Sequence, residues 1–205
     1  MAQTIDDGYL DNWVYTYPIL KKYNLKGTIF INPEFIDDSK EVRNNLDDVW
    51  EKKIEQNQLI PLGFLDWAEL QKMEESGVMD MQSHSMSHNF YFHSNNLKDI
   101  YTGQPNYDWM AWNNKPNRKP YYTTENQEHY TTKGSPIFKF GRALGIRRYF
   151  PDEELVKYPI DLYSSNEKMK DKTSFIEKLN KKLICLPGTY ESDEDIEKRY
   201  RYEIF

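Results

Sequence analysis

The chain has 205 residues, with 27 Lys and Arg against 33 Asp and Glu and a formal net charge of −6. This length suits one domain or most of one, and the acidic balance argues against nucleic acid or another anionic polymer as the partner. The single cysteine, Cys185, excludes an internal disulfide and a multi-cysteine zinc site. The sequence contains neither an apolar run long enough for a membrane span nor a signal segment, so we expect no membrane span.

The first motif that carries chemistry is Thr4-Ile5-Asp6-Asp7-Gly8. Two adjacent carboxylates follow an apparent strand and precede a glycine that lets the backbone turn sharply. Neighbouring side chains at a strand end point in different directions, so one carboxylate is placed to ligate a metal while the other faces the reacting water. An ordinary Asp-Gly turn explains the same residues when the motif is taken alone.

A helix followed by a strand is predicted next. Pro18 fits the first turn of a short helix, and Thr28–Ile31 is a β-branched run that indicates a buried strand. The apolar face of this helix is expected to consist of Ile19, Leu20 and Tyr23.

A second helix and strand follow the same order. Asp66 is placed to cap a helix that ends before Gly77, and Val78–Ser83 is the following strand. The apolar residues that recur at helical spacing in this helix are Trp67, Leu70 and Met73. Two such units in series predict parallel strands with helices outside, in an α/β sheet or barrel whose ligand site lies at the carboxyl ends of the strands.

Two segments are interpreted as insertions. Residues 37–58 are highly charged and are predicted to form a solvated helix with a narrow apolar stripe, whose members are Val42, Leu46, Val49 and Ile54. Residues 89–136 are rich in aromatic and polar residues without sustained periodicity. The second segment is too long for an ordinary connection, which is typical of a functional or mobile segment.

The second motif is Gln82-Ser-His-Ser-Met-Ser-His88, directly after a predicted strand. On a helical turn His84 and His88 share one face, which suits two imidazoles on one ion, although a pair of surface histidines explains the motif equally well by itself. Together with Asp7 they form an Asp-His-His set, which leaves coordination positions open as a catalytic metal requires. His93 and His129 have no comparable companion and are expected to be ordinary polar residues.

The rest of the chain is predicted to be mainly helical. Helices are expected at Asp152–Val156 and Lys172–Leu183, and a strand at Leu183–Leu186 that buries Cys185. Ser192, with Asp195 three residues later, resembles a capping box at the start of a final helix.

The two motifs resemble those of the polysaccharide deacetylases, also called the NodB homology domain or carbohydrate esterase family 4. The first family motif, Thr-Phe-Asp-Asp-Gly, is matched by Thr4 to Gly8 with Ile5 in place of Phe, and the second by His84-Ser-Met-Ser-His88. This resemblance implies an α/β fold, a distorted parallel (β/α) barrel of the polysaccharide deacetylase type, which we expect to be incomplete in this chain. It also implies a single domain over residues 1–205, with the insertions at about 37–58 and 89–136.

The resemblance further implies a hydrolase that removes acetyl groups from an N-acetylated glycan. Asp7, His84 and His88 would bind a divalent metal, with Zn²⁺ the first choice, while Asp6 acts as the general base. The metal would polarise the acetamide carbonyl and lower the pKa of a water molecule, and acetate and a free amine would result. The location implied is the cell envelope or the exterior.

The family's later motifs find no match. These are an Arg-containing loop, an Asp/Trp segment and a Leu-x-His that supplies the general acid; no histidine follows His129. We therefore expect the N-terminal half of the domain, catalytically incomplete by itself and able to self-associate through open barrel edges. Two alternatives stay open: a non-catalytic, metal-containing glycan-binding module, and a metallohydrolase of a small non-peptide amide.

Overall fold

A computed structural model describes residues 3–165 and 172–204, which form two compact units. The first comprises residues 3–87 and 116–125 together with Ile204, and the second comprises residues 88–115 and 126–203 apart from the undescribed segment. The assignment of both units to one domain over residues 1–205 stays a prediction. Across the described residues, no helix combines the length and apolar character needed to cross a membrane.

The first unit contains a parallel three-stranded sheet with the strand order β1-β2-β3. The strands are β1 (Gln3–Asp7), β2 (Gly27–Ile31) and β3 (Met79–Ser83). In this register Asp7 lies beside Ile31, which lies beside Ser83. The carboxyl ends of the three strands therefore meet at one edge, as the order of helices and strands in the sequence predicts.

The helices of this unit are α1 (Tyr17–Lys22), α2 (Leu46–Trp50) and α3 (Trp67–Glu75), and a π-helical turn precedes α1. The predicted cap of α3 is confirmed. The Asp66 carboxylate accepts a hydrogen bond from the Glu69 backbone N–H at 2.8 Å, and the Glu69 carboxylate accepts one from the Asp66 N–H at 3.1 Å. Gly77 then ends the helix with a φ of 65°, a conformation that glycine adopts without steric cost.

The predicted apolar face of α1 is wrong for two of its three residues. Leu20 is buried, but Ile19 is 40% and Tyr23 66% exposed. The buried face begins earlier instead, with Tyr17 and Pro18, because the preceding π-helical turn already directs that side of the chain into the core.

The segment 37–58 is largely non-helical, contrary to the prediction, and α2 is its one α-helix among the described residues. It is anchored to the unit by Arg43, whose guanidinium contacts the buried Glu69 carboxylate at 2.6 and 2.8 Å and the Phe64 carbonyl at 2.8 Å. The predicted apolar residues Val42, Leu46, Val49 and Ile54 are half-buried against the core. The segment therefore packs against the first unit through the Arg43 hydrogen bonds and its half-buried apolar residues, and it does not form the predicted solvated helix.

In the second unit, the strands pair as two antiparallel ribbons, β4 (Phe90–Ile100) with β5 (Pro136–Arg142) and β6 (Tyr149–Phe150) with β7 (Thr189–Tyr190). The helices are α4 (Trp109–Asn114), α5 (Glu153–Ser165), α6 (Lys172–Leu183) and α7 (Asp193–Ile204). Residues 89–136 thus contain a long strand and a helix. Register shifts between Phe92 and Asp99 interrupt the two-residue alternation of β4, which explains why the sequence shows no periodicity there.

The predictions for the last third of the chain are confirmed for the helices but wrong for the strand. The Ser192 hydroxyl accepts a hydrogen bond from the Asp195 N–H at 3.1 Å at the start of α7. The predicted strand Leu183–Leu186 is instead the end of α6 and a turn, in which Cys185 is exposed. Leu183, at the end of α6, and Leu186 pack against the core, whereas Ile184 is 84% exposed, so the adjacency of these apolar residues in sequence does not mark a buried strand.

The α/β class with a parallel sheet is confirmed, but a closed (β/α) barrel is not shown. Closure would require a continuous ring of hydrogen-bonded strands. Within residues 3–165 and 172–204, the parallel sheet has three strands and the other four strands form two separate pairs.

Candidate metal centre

The Asp7 carboxylate lies at the end of β1, where the chain turns. Asp7 and Gly8 have φ values of 72° and 76°, so two successive residues adopt the left-handed conformation. Asn32, directly after β2 and almost completely buried, donates a hydrogen bond from its side-chain amide to Asp7 Oδ1 at 2.9 Å. The neighbouring strand therefore orients the carboxylate.

His84 follows β3 at the same edge of the sheet. Its backbone N–H donates to the Ile31 carbonyl at 2.8 Å, which extends the pairing of β2 with β3. Its Nε2 lies 3.9 Å from Asp7 Oδ1, and the two side chains are 36% and 28% exposed. The next residue, Ser85, donates from its hydroxyl to Asn32 Oδ1 at 3.3 Å. Asn32 therefore bridges the two sequence motifs, and the site is accessible from solvent.

His88 joins the other two residues by a route that differs from the predicted one. Residues 84–89 contain no helical turn, and His88 has a φ of 52°. One potential ligand atom from each of Asp7, His84 and His88 nevertheless lies within 4.8 Å of the others. A bent loop that ends in a left-handed residue, and not the predicted helical turn, brings the two histidines together.

A carboxylate and two imidazoles are ligands that suit Zn²⁺. Two ligand atoms that are each about 2.1 Å from one ion are at most about 4.2 Å apart. The separation of 3.9 Å between Asp7 and His84 satisfies this limit. The bound of 4.8 Å for all three ligand atoms is slightly larger than this limit, so His88 completes a candidate site for one divalent ion that closes with a small shift of its side chain.

The His88 imidazole has aromatic and cationic neighbours. Phe90 contacts it edge-on and Trp112 at a tilt, with ring centroids 6.2 and 6.1 Å away. The Arg142 guanidinium donates a hydrogen bond to His88 Nε2. A nitrogen that accepts this hydrogen bond cannot bind a metal at the same time, so metal binding would use the other ring nitrogen or displace Arg142.

A buried lysine supports the loop between the two histidines. Lys119 is fully buried, and its Nζ donates to the Ser87 carbonyl at 2.7 Å and contacts Glu34 Oε2 at 2.5 Å. The Glu34 N–H in turn donates to the Met86 carbonyl at 3.1 Å. The Lys119 ammonium also lies 5.3 Å from the centre of the Phe35 ring. Met86 and Ser87, which lie between His84 and His88, are therefore held by Glu34 and Lys119, two residues outside the sequence motifs.

Sequence reasoning missed Asn32, Glu34 and Lys119, because no local pattern distinguishes them. The predicted general base, Asp6, is exposed on β1, and no side-chain hydrogen bond or ion pair holds it within the described residues. His93 and His129 lie outside the candidate metal cluster of the described chain.

Comparisons with known proteins indicate the family of the chain. The family model described as "Polysaccharide deacetylase" matches residues 1–129. "Putative polysaccharide deacetylase YxkH" of Bacillus subtilis (strain 168) is 61% identical over 28 residues, which cover 14% of this chain and 10% of that protein. The BpsB deacetylase domain from Bordetella bronchiseptica is similar with a TM-score of 0.46 and 16% identity, over 99% of this chain and 46% of that one. The chain thus spans less than half the length of either protein.

Proposed function

Because the chain belongs to the polysaccharide deacetylase family, we propose that it contributes the metal-binding part of a metal-dependent enzyme that removes acetyl groups from N-acetylated polysaccharide. The observation that carries this proposal is the convergence of Asp7, His84 and His88 within 4.8 Å at the edge of the parallel sheet. Family membership supports the deacetylase activity, and the ligand set supports its dependence on a metal.

In this proposal Asp7, His84 and His88 hold a divalent ion, with Zn²⁺ the first choice. When bound, the ion would polarise the acetamide carbonyl and lower the pKa of a water molecule. Asn32 keeps the Asp7 carboxylate oriented through its 2.9 Å hydrogen bond. Asp6, exposed beside Asp7, takes the proton of the attacking water as the general base. The C–N bond then breaks, the nitrogen takes up a proton, and acetate and a free amine leave.

We extend the proposal to the whole protein. Its substrate would be an N-acetylated glycan at the cell envelope or outside the cell, and the three-stranded sheet would form part of a distorted (β/α) barrel. The solvent-accessible position of Asp7 and His84 suits a polymer chain better than a small amide, which an enclosed pocket would hold more effectively.

A glycan-binding module without turnover is the second candidate. The observation that favours it is the hydrogen bond from Arg142 to His88 Nε2, because that contact competes with metal binding at one of the three ligands. In such a module the ion, where present, would have only a structural role.

Acetate release separates the two candidates. The whole zinc-loaded protein, of which this chain supplies the metal-binding part, should release acetate from N-acetylglucosamine oligomers with a turnover on the order of 1 per second or faster, whereas the 205-residue chain by itself should release little. Chelation should stop the reaction and added zinc should restore it. The matched variants are His84→Ala, which should be inactive, and Glu75→Gln on the outside of α3, which should behave as the parent. Oligomer binding without acetate release would favour the module, and turnover that survives in His84→Ala would refute the proposed site.

A further inference from the structure

The second unit contains a cleft of about 200 Å³ between β4, α4 and β6. At about 30 Å³ per water molecule this is room for about seven waters, and the volume is less than the roughly 300–1,000 Å³ of pockets for drug-sized ligands. Its lining combines aromatic rings with a guanidinium and side-chain amides: Tyr91, Trp109, Asn113, Arg148, Tyr149 and Phe150. A group the size of one monosaccharide matches this space.

Arg148 contacts two aromatic rings in this cleft. Its guanidinium carbon lies 4.1 Å from the centre of the Tyr91 ring and 4.6 Å from that of Phe150, which are distances typical of cation–π contacts. Within the described residues its backbone N–H is hydrogen bonded to Glu191, but no hydrogen bond or ion pair engages its side chain. The five N–H donors of the guanidinium are therefore available to a ligand.

The charge balance around Arg148 favours an anion. The nearest carboxylate, Glu191, accepts hydrogen bonds from Arg199 at 2.6 and 2.8 Å, so it is already paired. Within the described residues Glu191 is thus paired with Arg199, and it contacts Arg148 through the backbone N–H alone. Burial lowers the pKa of Arg148. A carboxylate would pair with this guanidinium in a bidentate arrangement.

Two further polar atoms on the cleft residues have no hydrogen-bond partner among the described residues. These are the Trp109 Nε1–H, on a side chain that is 6% exposed, and the Asn113 carbonyl oxygen. The Asn113 amide is fixed because its nitrogen donates to the Phe90 carbonyl at 2.5 Å, which leaves the oxygen as an acceptor. Buried polar groups without partners are uncommon. Both atoms are themselves buried, so the two residues contribute the rest of their side chains to the cleft lining.

We propose that this cleft binds one sugar unit that carries a carboxylate, with the carboxylate on Arg148 and the ring against the aromatic lining. The rest of the sugar would lie beside Trp109 and Asn113, which line the same cleft. The net charge of −6 opposes a densely charged polymer, but the local positive charge suits a single carboxylate at short range.

Titration of the metal-free protein with D-glucuronate, D-glucose and acetate tests this proposal, with tryptophan fluorescence and chemical shifts as readouts. Glucuronate should bind at least about 10-fold more tightly than either of the others, and salt should weaken its binding. Equal binding of glucose would overturn the role of the carboxylate, and equal binding of acetate would overturn the role of the sugar. Because no metal is present, failure here is separate from failure of the deacetylase proposal.

Variants locate the site. Arg148→Met keeps the length of the side chain but removes its donors, and should weaken glucuronate binding at least about 10-fold. Arg148→Lys keeps the charge without the forked geometry and should weaken glucuronate binding less than Arg148→Met does. This variant still tests the proposal where the Met variant is unstable. The matched control is Arg201→Met, at an exposed position of α7, which should bind as the parent does. Unchanged binding in both Arg148 variants would overturn the proposal.

Discussion

Asp7 and His88 adopt left-handed backbone conformations, which in the described chain are shared by only two other non-glycine residues, Asn24 and Lys52. Such a conformation costs about 1 to 2 kcal/mol for a residue with a Cβ atom. Backbone strain of this kind concentrates at functional sites, where the surrounding structure holds it in place. Two of the three candidate ligands are therefore positioned at an energetic cost, which is consistent with a role beyond forming turns.

The two adjacent carboxylates should respond differently to amide substitution. In the whole protein, Asp6→Asn should keep the parent's metal content and lose about 10² to 10⁴-fold in turnover, because a general base typically contributes that much. Asp7→Asn should lower metal occupancy, because a neutral amide oxygen is a weaker ligand. Metal analysis and acetate release measure the two effects, and equal metal loss in both variants would show that the roles are misassigned.

Asn32 is predicted to tune the metal affinity without touching the metal. Asn32→Ala removes the 2.9 Å hydrogen bond that orients Asp7 and should weaken zinc binding by about 10 to 100-fold, as is usual for partners of metal ligands. Competition with a chromophoric chelator measures this affinity. The control is Asn57→Ala at an exposed position, and an unchanged affinity in Asn32→Ala would mean that Asp7 is oriented by other contacts.

At the scale of elements, the loop from His84 to His88 depends on a segment distant in sequence. Lys119 lies on a short 3₁₀ helix, Pro116–Tyr121, and is 32 residues from Ser87 and 85 residues from Glu34. Its ammonium is fully buried, whereas the Glu34 side chain is partly exposed. A buried cation of this kind fixes the loop because it has few alternative partners.

Replacement of Lys119 should therefore destabilise the protein and loosen the site together. Lys119→Met should lower the free energy of unfolding by about 3 to 5 kcal/mol, because the Glu34 carboxylate loses its buried cation. Lys119→Met combined with Glu34→Gln should recover part of that loss. Urea denaturation measures both, with Lys157→Met on the exposed face of α5 as the control. A double variant no more stable than the single one would contradict the pairing.

At the scale of the whole molecule, the second unit is held together by a buried ion pair. Arg199 on α7 contacts Glu191, and its guanidinium also donates to the carbonyls of Ala143 and Ile146. The two side chains are 8% and 4% exposed. Arg199 therefore connects the C-terminal helix to the chain that follows β5.

This pair should make stability depend on pH. The Arg199 hydrogen bonds lower the pKa of Glu191 below its ordinary value of 4.5. Between the lowered and the ordinary pKa the unfolded chain binds more protons, so the stabilisation is fully present above about pH 4.5 and is lost as the pH falls through the folded pKa. The acid limb is the part of the curve of unfolding free energy against pH in which stability falls at low pH. Glu191→Gln should make this limb less steep, and it should destabilise the protein at neutral pH by about 3 to 5 kcal/mol.

The exposed pair of Glu197 with Arg201 on the same helix provides the matched comparison. Glu197→Gln should change the free energy of unfolding by less than about 1 kcal/mol and leave the acid limb unchanged. Urea denaturation from pH 3 to 7 measures the three proteins. An acid limb that is equally steep in Glu191→Gln and the parent would assign it to other carboxylates.

The amino-acid sequence by itself determined the features that depend on short-range signals. The Asp66 capping box, the glycine after α3 and the β-branched run of β2 are local patterns, and they predicted the parallel strands correctly. The candidate metal ligands were predicted in the same way: because Asp6-Asp7-Gly8 and the two histidines each lie at the end of a strand or after it, parallel pairing brings them to one edge.

Only the tertiary structure decided what lies between and around these motifs. Asn32 contacts Asp7 across 25 residues of sequence, and Lys119 reaches Glu34 across 85. The ribbon of β4 with β5 and the cleft around Arg148 likewise join segments that no local pattern pairs. Burial, orientation and local charge depend on such long-range neighbours, so a chain with a net charge of −6 is still able to form a site whose immediate surroundings are positive.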